Sequence, residues 1–188
     1  MIDRLYMKNL TATLCLTLAV LLGSIGVSTN AEPIKGYCLS GTKHSDLPIA
    51  DKCSASYEKG DYELALWEFQ FYAKQGFAPA QSNLGLMYYN GKGVSQNYKT
   101  AVKWYRRAAE QGYAIAQTNL GYMYDRAIGV PKNYKTALKW YRRGVKQGNA
   151  SGQHNLGVMY QYGKGVPKNY KTAVKWFRLA AEQGDSPA

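Results

Sequence analysis

Two serines stand three residues ahead of a lysine, Ser40 before Lys43 and Ser56 before Lys59. That spacing lets an amine activate a hydroxyl for acyl transfer. Enzymes built that way also carry Ser-Asp-Asn and Lys-Thr-Gly stretches, and neither occurs in this chain. The two histidines, His44 and His154, lie too far apart in sequence for a zinc-ligand spacing. Gly91-Lys92-Gly93 and Gly163-Lys164-Gly165 lack the length and the terminal hydroxyl of a phosphate-binding loop. Of the 11 acidic residues beyond residue 31, no close pair falls in a plausible cleft for glycoside hydrolysis. The expectation is a chain with no catalytic residue, no metal site and no cofactor.

The pattern that dominates is repetition. Asn83, Asn119 and Asn155 are spaced by 36 residues, and the same step relates Gly85, Gly121 and Gly157, then Trp104, Trp140 and Trp176. A fixed period of this length marks a solenoid, in which each unit buries its face against its neighbours. Within one unit, Ala80, Leu84, Met87 and Tyr88 fall on one face of a first helix opened by Pro79. A glycine-containing loop follows, with Val94 turned back toward the core, and Asn97 can cap a second helix. Ala101, Trp104, Tyr105, Ala108 and Ala109 form the apolar stripe of that helix, and Gly112 suits its left-handed termination. Gly85 costs about 1 kcal/mol against alanine inside a helix, so its recurrence requires a close helix–helix approach.

These signals divide the chain. Residues 1–31 read as a secretory signal: Arg4 and Lys8, an apolar run from Leu10 to about Val27, then small and polar residues. A segment 32–45 precedes a divergent hairpin at 46–76, in which Phe69 matches Tyr105 and Glu68 takes the tryptophan position. Units 77–112, 113–148 and 149–184 follow, with a short tail at 185–188. The expected location is periplasmic or secreted. In an exported chain, Cys38 and Cys53, 15 residues apart, point to a single disulfide, which stabilises by roughly 3 kcal/mol in the chain-entropy model. A reactive thiol pair would need closer spacing than this.

The unit Ala-x-Ala-Gln-x-x-Leu-Gly-x-Met-Tyr, then Gly-x-Gly-Val-x-x-Asn-Tyr, then Ala-x-x-Trp-Tyr-x-x-Ala-Ala-Glu-Gln-Gly resembles the Sel1-like repeat over about residues 77–185. The divergent first hairpin is similar to a tetratricopeptide unit. The resemblance implies an all-α, right-handed α/α solenoid of about four helical hairpins that mediates protein–protein contact. A cysteine-rich branch of the family is linked to penicillin binding and β-lactam hydrolysis, which keeps a peptidoglycan- or β-lactam-directed role as the alternative. Its members carry a disulfide in nearly every repeat, whereas the three units here contain no cysteine. The second unit also departs from the pattern: Ala127 and Ile128 replace the first loop glycine and the lysine, and Gly144-Val145 replaces Ala108-Ala109.

Positions that differ between units separate specificity from scaffold. On the first helices these are Ser82, Leu86 and Tyr89; Thr118, Tyr122 and Asp125; and His154, Val158 and Gln161. Each triplet follows i, i+4, i+7 and forms one face. In stacked hairpins that face is concave, so these residues, with Asn83, Asn119 and Asn155 beside them, are expected to read an extended peptide or protein segment. The second helices repeat Lys99, Lys103 and Arg106 as Lys135, Lys139 and Arg142 and as Lys171, Lys175 and Arg178. Stacked, they make a basic convex ribbon suited to an anionic envelope surface; with a net charge of +12 nucleic acid would be attracted too, but export disfavours it. Ser186-Pro187-Ala188 matches the opening of a further first helix, so part of the last apolar stripe is expected to stay uncovered and to invite self-association.

Overall fold

The protein is described here as a computed structural model covering residues 56–183, which all belong to one compact unit. Cys38, Cys53, His44, the signal-like segment and the 185–188 tail lie outside the described residues. Helical residues 56–58 precede α1 (Tyr62–Lys74), α2 (Ala78–Asn90), α3 (Tyr98–Glu110) and α4 (Ala114–Arg126), and then α5 (Tyr134–Val145), α6 (Ala150–Tyr162) and α7 (Tyr170–Ala181). The described residues contain no strand. The most extensive contacts are within the hairpins α2–α3, α4–α5 and α6–α7; the steps α1–α2, α3–α4 and α5–α6 join successive hairpins. The result is the expected α/α solenoid. No described helix is long and apolar enough to cross a membrane.

Local chemistry sets each boundary. Asn97, Asn133 and Asn169 cap the second helices, their side chains accepting from the amides of Thr100, Thr136 and Thr172 at 3.0, 2.9 and 2.9 Å. Each such cap is worth about 1 kcal/mol. Gly112 ends α3 at φ +96°, and two reverse bonds close the turn, from its own amide to the Ala109 carbonyl and from Tyr113 to Ala108. The loops then bond back onto the first helices, with the amides of Asn97, Asn133 and Asn169 donating to the carbonyls of Tyr88, Tyr124 and Tyr160.

The helix glycines accommodate aromatic rings. A Cβ on Gly85 would lie 2.9 Å from the Tyr105 ring, one on Gly121 2.7 Å from Tyr141, and one on Gly157 2.6 Å from Phe177. The ring of each second helix lies against the bare backbone of its own first helix. Tyr141 and Phe69 are buried, as are Met87, Met123 and Met159, each contributing about 1.5–3 kcal/mol of apolar burial.

Glutamines stitch the hairpins together. Gln81 and Gln117 are buried, and each donates at 3.1 Å to a carbonyl of the preceding second helix, Ala73 and Ala109. Gln81, Gln117 and Gln153 accept in turn from Gln111, Gln147 and Gln183 at 2.7, 3.0 and 2.8 Å.

Candidate functional site

The first helices α2, α4 and α6 place their variable residues on one side of the stack. At its centre is an open cleft of about 260 Å³, lined by Leu86, Tyr89, Thr118, Asn119, Tyr122 and Asn155, with Tyr105, Met123 and Ser151 completing the wall. The first six are positions that the repeat comparison selects. The other three are not among those positions. Tyr105 is reached because Gly85 lets its ring cross the helix, and its hydroxyl is hydrogen-bonded to Asn119. The pairing of an invariant glycine with an invariant aromatic ring was the available signal.

The remaining selected residues divide by burial. Asn83, His154, Val158 and Gln161 are half-buried and stand outside the cleft. The His154 ring rests 5.3 Å from that of Phe177. Ser82, Thr118 and Asp125 are buried and are not free to reach a partner as exposed side chains. Thr118 Oγ1 donates to Asn149 Oδ1 at 2.9 Å, an oxygen that also accepts from the Gly152 amide. Asp125 is paired with Lys164 at 3.2 Å and approached by Arg126 at 3.9 Å. Lys164, read from sequence as a plain loop residue, is the counter-charge that makes burial of Asp125 tolerable.

The cleft is aromatic, polar at its rim and uncharged at its centre. Tyr89 and Tyr122 are hydrogen-bonded to each other; burial first, then the Tyr122 phenol, pushes the Tyr89 hydroxyl above its ordinary pKa. Burial pushes the Tyr105 and Tyr141 hydroxyls far higher, with Asp125 adding to the rise at Tyr141. These phenols stay protonated at neutral pH. The Tyr141 hydroxyl is buried and has no hydrogen-bond partner. Arg126 lies over the Tyr122 ring at 5.7 Å, which stacks its guanidinium beside a wall residue of the cleft. Among the described residues no group of three or more His, Cys, Asp or Glu is arranged to hold a metal ion.

The basic ribbon is narrower than its sequence. Lys99, Lys103, Lys135, Lys139, Lys171 and Lys175 are exposed. Arg106, half-buried, and Arg142, exposed, donate to the hydroxyls of Tyr124 and Tyr160 on the next first helix, at 2.9 and 3.3 Å. Arg107 and Arg143 lie over Trp104 and Trp140 at 4.7 and 4.8 Å.

This geometry has counterparts among known proteins. The Sel1 repeat family matches residues 78–113, 114–149 and 150–185. A Sel1 repeat protein from Oxalobacter formigenes superposes with a TM-score of 0.68 at 38% identity over 74% of this chain and 56% of its own. The protein c5321, described as a protective antigen present in uropathogenic Escherichia coli strains, gives 0.63 at 36% identity over 74% of this chain and 34% of its own. Cysteine-rich protein B of Helicobacter pylori gives 0.51 at 27% identity over 65% of this chain and 90% of its own. The chain thus spans about half the length of the first of these relatives and a third of the second. No curated protein matches the chain.

Proposed function

The chain belongs to the Sel1 repeat family, and from that premise we propose that it is an exported, non-enzymatic adaptor holding an extended segment of a partner protein in its concave first-helix groove. Sel1 repeats commonly mediate protein–protein contact, and their fold is typically a scaffold. The observation that carries the reading is the cleft: four residues that vary between otherwise matching units, Leu86, Tyr89, Thr118 and Tyr122, line one continuous recess with the invariant Asn119 and Asn155 beside them. Tyr89, Tyr122 and Leu86 supply rigid apolar contact, and Asn119 and Asn155 supply amides that pair with a peptide backbone. The volume of about 260 Å³ suits one large side chain of the bound segment. Export is supported by the signal-like 1–31 segment, and placement outside the cytoplasm accords with a relative that is a protective antigen. The exposed lysines would hold the convex side near anionic surfaces without taking part in recognition.

The test is affinity capture from envelope extract with the wild-type protein beside a Tyr89→Ala/Tyr122→Ala variant. A partner retained by the first and lost by the second, with helicity unchanged, is the expected result. Equal capture by both, washed off by salt, would move recognition to the lysines, because exposed charges are screened within about 8 Å at physiological ionic strength. Turnover of nitrocefin by the purified protein would replace the adaptor reading with the β-lactam-directed alternative.

A further inference from the structure

The groove leaves the outer face of the second helices unused. First helices α4 and α6 touch across the step between hairpins, whereas α3 and α5 share no extensive contact, so the second helices stand apart on the outer side. One register position points away from the stack in every unit: Lys103, Lys139 and Lys175 recur at 36-residue steps, and all are exposed. Arg107 and Arg143, four residues further on, are exposed as well. One period upstream, in α1, the same two positions hold Trp67 and Phe71. The indole is 59% exposed and the phenyl ring 41%, with centroids 5.8 Å apart and 12° between the ring planes. Residues four apart share one side of a helix, and here it is the side that carries exposed cations in the later units.

Charge and ring chemistry together identify the occupant. On α5 the outer side is wholly cationic, with Lys135, Lys139, Arg143 and Lys146 exposed along it. On α3, Glu110 takes the register of Lys146 beside Lys99, Lys103 and Arg107. Among the described residues none of these cations is paired with a carboxylate. Lysines alone would suit any polyanion. The bare aromatic pair in the same register narrows the choice, because indole and phenyl rings settle at headgroup depth in a bilayer. Cations beside them stay in water and are attracted to anionic headgroups within a Debye length. No described helix can cross a bilayer, so the contact is one of lying on its surface.

We propose that the outer face of the second helices rests on a bilayer surface bearing anionic headgroups, with Trp67 and Phe71 inserted at headgroup depth and Lys103, Lys135 and Lys139 against the phosphates. This rests on the reading of the convex lysines given above and names the surface they meet. It uses neither Tyr89 nor Tyr122. A chain held this way turns its first-helix groove away from the lipid, free to take a partner.

Quenching of tryptophan emission by lipids brominated on their acyl chains tests this on the full chain, with vesicles of phosphatidylcholine alone or mixed with phosphatidylglycerol. Residues 1–66 contain no tryptophan, so the emission reports on the helices whatever the preceding segment does. The mixed vesicles should quench the emission and shift it to the blue, and the neutral ones should leave it nearly unchanged. Trp67→Phe should abolish the quenching. Lys135→Glu/Lys139→Glu should raise the lipid concentration needed for half-quenching at least about tenfold, with helicity retained. Tyr89→Ala/Tyr122→Ala should leave the quenching as it is, so a failed groove and a failed lipid contact are separate results. Absence of quenching by the mixed vesicles overturns the proposal. Equal quenching by neutral vesicles, or quenching that survives Lys135→Glu/Lys139→Glu, overturns the role of the cations. Quenching that persists in Trp67→Phe overturns the role of the α1 ring pair. A blue shift produced by polyglutamate but not by vesicles would make an acidic protein the occupant instead.

Discussion

Glu68 shows how one residue sets apart the first hairpin. It stands where later units have Trp104, Trp140 and Trp176, so a carboxylate occupies ground that the repeat gives to an indole. Its Oε2 atom is buried without a hydrogen-bond partner. Burial raises its pKa above the ordinary 4.5, a hydrogen bond with Ser56 works against that rise, and the nearby Asp61 adds to it. A carboxyl whose pKa is higher in the folded chain stabilises the fold fully at low pH. It loses that contribution as pH climbs through the raised value. Glu68→Gln keeps the shape and removes the charge. The melting temperatures of variant and wild type should therefore nearly coincide at pH 4, with the variant higher at pH 7. A difference that does not change between those two pH values would show that the carboxyl titrates as it does in the unfolded chain.

Among the elements, the second loop is the exception that exposes the rule. Helices α2 and α6 end on Gly91 and Gly163, both near φ +69°, but α4 ends on Ala127 at φ +59°. Ala127 is the only non-glycine residue in the left-handed region among the described residues. A left-handed alanine costs roughly 1–2 kcal/mol, of which glycine's larger unfolded-state entropy returns part. Ala127→Gly should thus raise stability by about 0.5–1 kcal/mol, read as a higher midpoint in urea at unchanged slope; a lower midpoint would mean that the Ala127 side chain packs usefully. The helices, their caps and this irregular loop were legible in sequence because they rest on short-range patterns: a 3.6 period, Asn97 before its helix, Gly112 after it. The contacts that bury Asp125 and Gln81 were not legible in the same way. Lys164 reaches Asp125 from 39 residues away, and Gln111 reaches Gln81 from 30. Variation between repeats placed Asp125 on the readout face because variation cannot distinguish a residue facing a partner from one facing a changed neighbour. Six of the selected positions do line the cleft, since a helix face is fixed by periodicity; which of them remain accessible depends on side chains from the next unit.

At the scale of the whole molecule, stability is built step by step. The hairpins α2–α3, α4–α5 and α6–α7 are each held by a glycine–aromatic contact, and among the described helices the extensive contacts are between near neighbours in the stack. In such a one-dimensional array, opening free energy depends on how many interfaces a segment must break. Among the described helices, α3 is enclosed by α2 and α4, and α5 by α4 and α6, whereas α7 packs against α6. Val174 and Tyr170 add little to holding α7 down, because their side chains already face water. Amide hydrogen exchange on dilute protein should show the strongest protection in α3 and α5, with α7 exchanging at least roughly tenfold faster. Equal protection along the chain would mean that the stack opens only as a whole, making the hairpin interfaces too strong to break singly.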